Sequence, residues 1–101
     1  MNTEPDELSF RRDVLLRFQV ALLGMVEPHL RGVTVGWSAT EIEATMFFDG
    51  RLGDDEEEVA SDVEAELVAS FPDHQVTVVA ERLDPPETTP MREAWVYKRR
   101  E

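Results

Sequence analysis

The stretch GDDEEEVASDVEAELVASF, Gly53 to Phe71, decides how this chain folds. At about 100° per residue, Val59, Ala60, Val63, Leu67 and Phe71 gather on one side of a helix, while Asp54, Asp55, Glu57, Glu58, Asp62, Glu64 and Glu66 crowd the rest. The apolar side needs a core to bury against; the acidic side needs water or a cationic surface. Gly53 or Asp54 caps the first turn, where carboxylates meet the positive end of the helix dipole. Pro72 stops the helix, because it lacks a backbone donor and drives Phe71 away from helical geometry.

No Lys or Arg lies between Arg51 and Arg82, so Asp54, Glu58, Asp62 and Glu66 repel one another at i,i+4 spacing. Each pair costs roughly 0.2 to 0.5 kcal/mol. Burial of Val59, Val63, Leu67 and Phe71 at about 1.5 to 3 kcal/mol each outweighs that. The helix forms in spite of its charge, and stability does not account for the acids. They are either a solvated face that keeps the protein soluble or a docking surface for a basic partner, with Asp55, Glu58, Asp62 and Glu66 as its contact residues.

Towards the amino terminus, Thr3 with Asp6 has the spacing of a capping box, Pro5 is tolerated in a first turn, and a helix starts near Asp6. Phe10, Val14, Phe18, Ala21, Leu22 and Met25 recur at three and four residues and form a core-facing stripe. Leu16, Val20 and Leu23 form a second stripe on nearly the opposite side. A helix apolar on two sides is either sandwiched inside the protein or shared with another chain, so these three residues are internally buried or form a homodimer contact. Gly24, Pro28 and Gly32 close the helix and open a turn.

Val33, Val35 and Trp37 then alternate with Thr34 and Gly36. After Ser38 to Thr40, the residues Ile42, Ala44, Met46 and Phe48 alternate with Glu43, Thr45 and Phe47, which gives two strands of a hairpin with one covered and one partly wet face. Beyond the acidic helix, a third strand runs from Gln75 to Leu83 and a fourth from Glu93 to Arg99. The proline-rich loop Asp84 to Pro90 separates them. The order helix, strand, strand, helix, strand, strand predicts an α+β two-layer sandwich, with both helices on one face of a mostly antiparallel four-stranded sheet.

At 101 residues with 42% hydrophobic content, residues 1–101 make a single domain. The absence of cysteine and an acidic start, MNTEPDEL, predict a soluble cytoplasmic protein with neither disulfides nor a signal peptide. A net charge of -12 argues against binding nucleic acid or an anionic membrane and directs the search to basic or neutral partners. No cofactor motif is present, and His29 and His74 are single histidines in turns, read as surface residues without ligand spacing. A calcium loop fails, because Gly50 and Arg51 follow Asp49 at once and Asp54 takes the place that requires glycine. No metal site, nucleophile elbow or phosphate loop emerges, and the chain is not read as an enzyme.

At the carboxy terminus, alternation puts Trp95, Tyr97 and Arg99 on one strand face and Ala94 with Val96 on the other, without saying which pair is buried. The basic residues there can offset the acids of the Asp54 to Glu66 helix.

The combination ALLGMVEPHLRGVTVGW, MFFDG, DEEEVASDVEAELVASFP and RLDPP with WVYKRRE resembles the small acidic bacterial immunity proteins of contact-dependent and polymorphic toxin systems, from Ala21 onward. The resemblance implies a cytoplasmic inhibitor without chemistry of its own, bound to a toxic domain that is commonly a nuclease. Such proteins share no single fold or binding surface, so the resemblance assigns no site residue. A nuclease domain is basic in order to hold phosphates, which fits an acidic inhibitor. The alternative function is a self-associating acidic structural or regulatory module without a toxin partner.

Overall fold

A computed structural model describes residues 4–101, and along it run α1 (Glu4–Ala21), β1 (Leu30–Trp37), β2 (Glu41–Phe48), α2 (Asp54–Ser70), β3 (Gln75–Arg82) and β4 (Ala94–Lys98). The expected cap at Thr3 lies outside the described residues. The element order and the α+β sandwich are those read from the sequence, and α2 is the helix from which that reading started.

Gly53 precedes α2 in extended backbone, and its N–H donates to the Glu56 carboxylate at 2.6 Å, so an acid of the first turn closes the helix start. At the far end the Phe71 N–H donates to the Leu67 carbonyl at 2.9 Å. Ala60, Val63, Leu67 and Phe71 are buried, and Val59 is half-buried.

The sheet has the order β3-β2-β1-β4. The short link after Trp37 folds β1 and β2 into an antiparallel hairpin, and β4 is also antiparallel to β1. The route from β2 to β3 passes through α2, a crossover that makes these two strands parallel. On the helix-covered face, Val33 and Val35 stand opposite Met46 and Ala44, and Ile42 and Ala44 stand opposite Val76 and Val78. Val14 and Phe18 of α1 join Val63 and Leu67 of α2 over these strands in one buried cluster. The rings of Phe10 and Phe71 meet edge to face at 5.9 Å and tie the two helices together.

Two expectations change at the strands. β1 begins at Leu30, before the alternation starts, and a register shift between Leu30 and Gly32 accommodates Arg31 in the sheet. In β4, Thr34 pairs with Trp95 while Val33 pairs with Tyr97, so Val96 is an extra residue and Tyr97 returns to the core side. Ala94 and Val96 are the buried pair, and Trp95 and Tyr97 do not share a face. Gly32 leaves the room that Trp95 fills, since a Cβ there would lie 2.8 Å from Trp95 Cζ3.

The face away from the helices is partly wet: Glu43, Thr77, Val79 and Glu81 are exposed, while Thr34, Thr45 and Phe47 are buried. β3 and β4 lie at opposite edges, and the segment between them crosses that face. The Arg92 N–H donates to Thr34 Oγ1 at 2.8 Å, and the Thr34 hydroxyl donates to the Ala94 carbonyl at 2.9 Å. Pro90 and Met91 lie beside Phe47, which is only 3% exposed. Both edge strands receive a helix side chain: Gln19 Nε2 donates to the Val96 carbonyl at 2.9 Å, and the Val78 N–H donates to Glu64 Oε1 at 2.8 Å.

Candidate partner-docking surface

The strap between β3 and β4 crosses part of the sheet's outer face, and the helix layer offers a second open surface. Asp55, Glu58, Asp62 and Glu66 are all exposed on α2. Among the described residues none of the four side chains enters an ion pair or hydrogen bond. Asp62 and Glu66 edge a shallow groove of about 350 Å³ whose other walls are Met25, Ala65 and Ala69. The groove brings the turn after α1 against the outer side of α2 and mixes apolar contact surface with two carboxylates.

Leu16, Val20 and Leu23 are 57%, 54% and 74% exposed, which excludes their internal burial within one chain. Leu16 and Val20 stand on α1, while Leu23 belongs to the turn that follows it. The acids and this apolar stripe therefore lie on neighbouring elements of one layer.

Sequence reasoning missed the charged cluster at the opposite end of the sheet from the β1–β2 hairpin. Arg31, 4% exposed, donates to both carboxylate oxygens of Glu101 at 2.7 and 2.8 Å and to the Leu83 carbonyl at 2.7 Å. Arg99 donates to Asp49 at 2.7 Å and to Glu101 at 3.0 Å. The hydrogen bond from Arg31 holds the Glu101 carboxyl down at about 2. Arg99 lowers Asp49 in the same way, and the Gly50 N–H, 2.6 Å away, lowers Asp84. The tail's guanidinium thus serves Asp49 and Glu101, not the acids of α2. Lys98 lies over the Trp95 ring at 5.2 Å. An alternating strand pattern carries no signal for such a cluster, whose partners come together only when four strand ends meet.

The histidines differ from one another. His29 is exposed and meets Asp49 at 3.2 Å, whereas His74 is half-buried and stacks on Phe10 at 4.8 Å, so it is a packing residue and not a free surface group. No group of three or more His, Cys, Asp or Glu residues able to hold a metal occurs among the described residues.

The family model described as MafI2 immunity protein matches residues 11–101, a span that includes most of α1, every strand and all of α2. The chain belongs to the MafI2 immunity protein family. Comparison with curated proteins finds no match. As a MafI2 family member, the chain is an immunity protein of a polymorphic toxin system, an inhibitor of a toxin. Its partner is accordingly a toxin protein. Among the described residues, no helix is long and apolar enough to cross a membrane.

Proposed function

We propose that the chain neutralises a basic toxin domain in the cytoplasm by docking through the outer face of α2, with Asp55, Glu58, Asp62 and Glu66 as the contacting carboxylates. One observation carries the reading: these four groups are exposed, and without partners among the described residues, on a helix whose stability comes from its other side. Like charges at i,i+4 spacing cost the free protein about 0.2 to 0.5 kcal/mol a pair, and a cationic partner relieves that cost on binding. A domain that grips phosphates, as a nuclease does, presents such a cationic surface. Carboxylates set against it attract the partner over a distance and fix its orientation.

The test removes charge and keeps shape: Asp55→Asn, Glu58→Gln, Asp62→Asn and Glu66→Gln together. The variant is expected to fold as the wild type does, to lose protection when co-expressed with the cognate toxin domain, and to associate with it at least about tenfold more slowly at low salt. The wild-type association rate should fall steeply as salt rises, because exposed charges are screened beyond a Debye length of about 10 Å at 0.1 M. A folded variant that protects cells and binds at the wild-type rate would return the acids to a solvating role.

A further inference from the structure

We infer that the groove between the end of α2 and the turn after α1 receives one arginine side chain of the toxin domain, and that this contact anchors the complex. The inference rests on the docking of a basic partner through α2 and adds which group enters and where. At about 100° per residue, Asp55, Glu58, Asp62, Ala65, Glu66 and Ala69 fall within an arc of about 100°, so the groove opens on the same side of the helix as the four acids. Along that arc the residues change in kind. Asp55 and Glu58 stand on the amino-terminal half, whereas Ala65 and Ala69 lower the surface of the carboxy-terminal half and leave a hollow of about 350 Å³ with Met25 as its far wall. Met25 is half-buried and packed against the core, and the alanines stand on a helix, so the walls are fixed before a partner arrives.

Three features of the groove favour a cation. Asp62 and Glu66 are one turn apart, with Cβ atoms about 5 to 6 Å from each other, and among the described residues no Lys or Arg pairs with either. Ala69 lies in the last turn of α2, where the helix dipole places negative partial charge and no base offsets it. Neither wall supplies a base, since Lys and Arg are absent both from Asp54 to Ser70 and from Phe18 to Leu30. The bases that flank the second of these spans do not serve the pair: Arg31 is bound to Glu101 and Leu83, and Arg17 forms no ion pair among the described residues.

Shape selects among cations. Clefts that hold small ligands run from about 300 to 1,000 Å³, and this groove lies at the low end, with room for one side chain and not for a strand or a helix. Its apolar floor suits a methylene stem whose charged tip reaches the two carboxylates. A guanidinium is planar and weakly hydrated and presents its donors in a fork, so one group can bond Asp62 and Glu66 together. An ammonium is a compact point charge that holds its water more strongly and satisfies one carboxylate at a time. The four acids thus divide their work. Asp55 and Glu58, on the open helix surface, act on encounter, while Asp62 and Glu66, desolvated against the arginine, act on how long the complex lasts.

Filling the groove without changing its charge tests the inference. Ala65→Leu with Ala69→Leu keeps every acid and, at two exposed helical positions, should keep the wild-type circular dichroism and thermal midpoint. In binding kinetics with the cognate toxin domain, this variant is expected to associate within about twofold of the wild-type rate and to dissociate at least about tenfold faster. Val68→Leu, exposed on the same helix but outside the groove, should change neither rate. On the partner's side, arginines of the toxin domain changed singly to lysine retain their charge. One such change should speed dissociation from wild type by about tenfold and add nothing against the filled variant. A filled variant that dissociates at the wild-type rate, while the variant neutralised at all four acids associates slowly, overturns the arginine anchor and leaves docking through α2 standing. A neutralised variant that binds as wild type does overturns that docking, and the groove with it. A toxin domain whose arginines can each become lysine without faster dissociation overturns the choice of arginine.

Discussion

Leu67 and Val68 are adjacent in sequence and opposite in fate. Leu67 is fully enclosed in the cluster that also holds Phe18, Val63, Val76 and Val78, whereas Val68 is 48% exposed. Leu67→Ala removes buried carbon from between a helix and a sheet, two rigid surfaces that close a gap poorly, so transfer and cavity terms together cost about 3 kcal/mol of a 2 to 5 kcal/mol range. For a chain of 101 residues, each kcal/mol lowers the thermal midpoint by about 4 to 8 °C, which places the expected drop near 12 to 24 °C. Small domains hold about 5 to 15 kcal/mol in total, so the variant still folds at room temperature. Val68→Ala should stay within about 0.5 kcal/mol of wild type. Urea unfolding followed by far-ultraviolet circular dichroism measures both, with the midpoint moving and the slope unchanged. Costs that agree to within about 0.5 kcal/mol would show that α2 is rotated from the orientation described, and the four outward acids would lose their placement along with Leu67.

The Arg31–Glu101 contact makes stability depend on pH in the acid range. The Glu101 carboxyl is held at about 2 against an ordinary value of 4.5, so its contribution is complete above pH 4.5 and is lost as pH falls through about 2. The lowered Asp49 and Asp84 add to stability with the same sign. The urea midpoint of wild type should therefore drop across that window, while Glu101→Gln begins lower at neutral pH and loses less. A variant with the wild-type pH profile would contradict the assignment. At the β3 edge, Glu64→Ala leaves the Val78 N–H without its acceptor and should cost about 1 kcal/mol and shorten the lag before thioflavin-positive aggregation, whereas Glu64→Gln keeps an acceptor and should stay close to wild type. Equal lag times for the two variants would count against an edge-capping role.

What was legible in the sequence was legible because it is periodic. The 3.6-residue stripe of α2, closed by Pro72, and the alternation from Val33 to Phe48 each specify an element and the face it buries, and together they give the two-layer sandwich. The candidate acids could be placed for the same reason, since they are the remainder of a face whose core half is known. Periodicity is silent about pairings across long separations. Arg31 and Glu101 are 70 positions apart, and a charged residue beside Gly32 reads as the end of a turn until its partner is seen. The extra residue at Val96 inverts the alternation partway along β4 and separates Tyr97 from Trp95. Phe47 read as a wet-face residue because nothing local shows that the proline-rich segment returns across it. The stripe at Leu16 was ambiguous for a different reason: two apolar sides fit burial and association equally well until the neighbours of α1 are known.

The place of β1 between β2 and β4 bears on how the chain reaches its native state. β2 follows after a short link, but Thr34 bonds Ala94 across 60 positions, so one side of the central strand is completed late. Before β4 docks, residues up to β3 can assemble a three-stranded sheet under both helices while β1 still presents a row of open backbone groups. Such an edge is a template for wrong partners. A chain in which β3 has paired and β4 has not therefore exposes an edge that lies in the middle of the finished sheet.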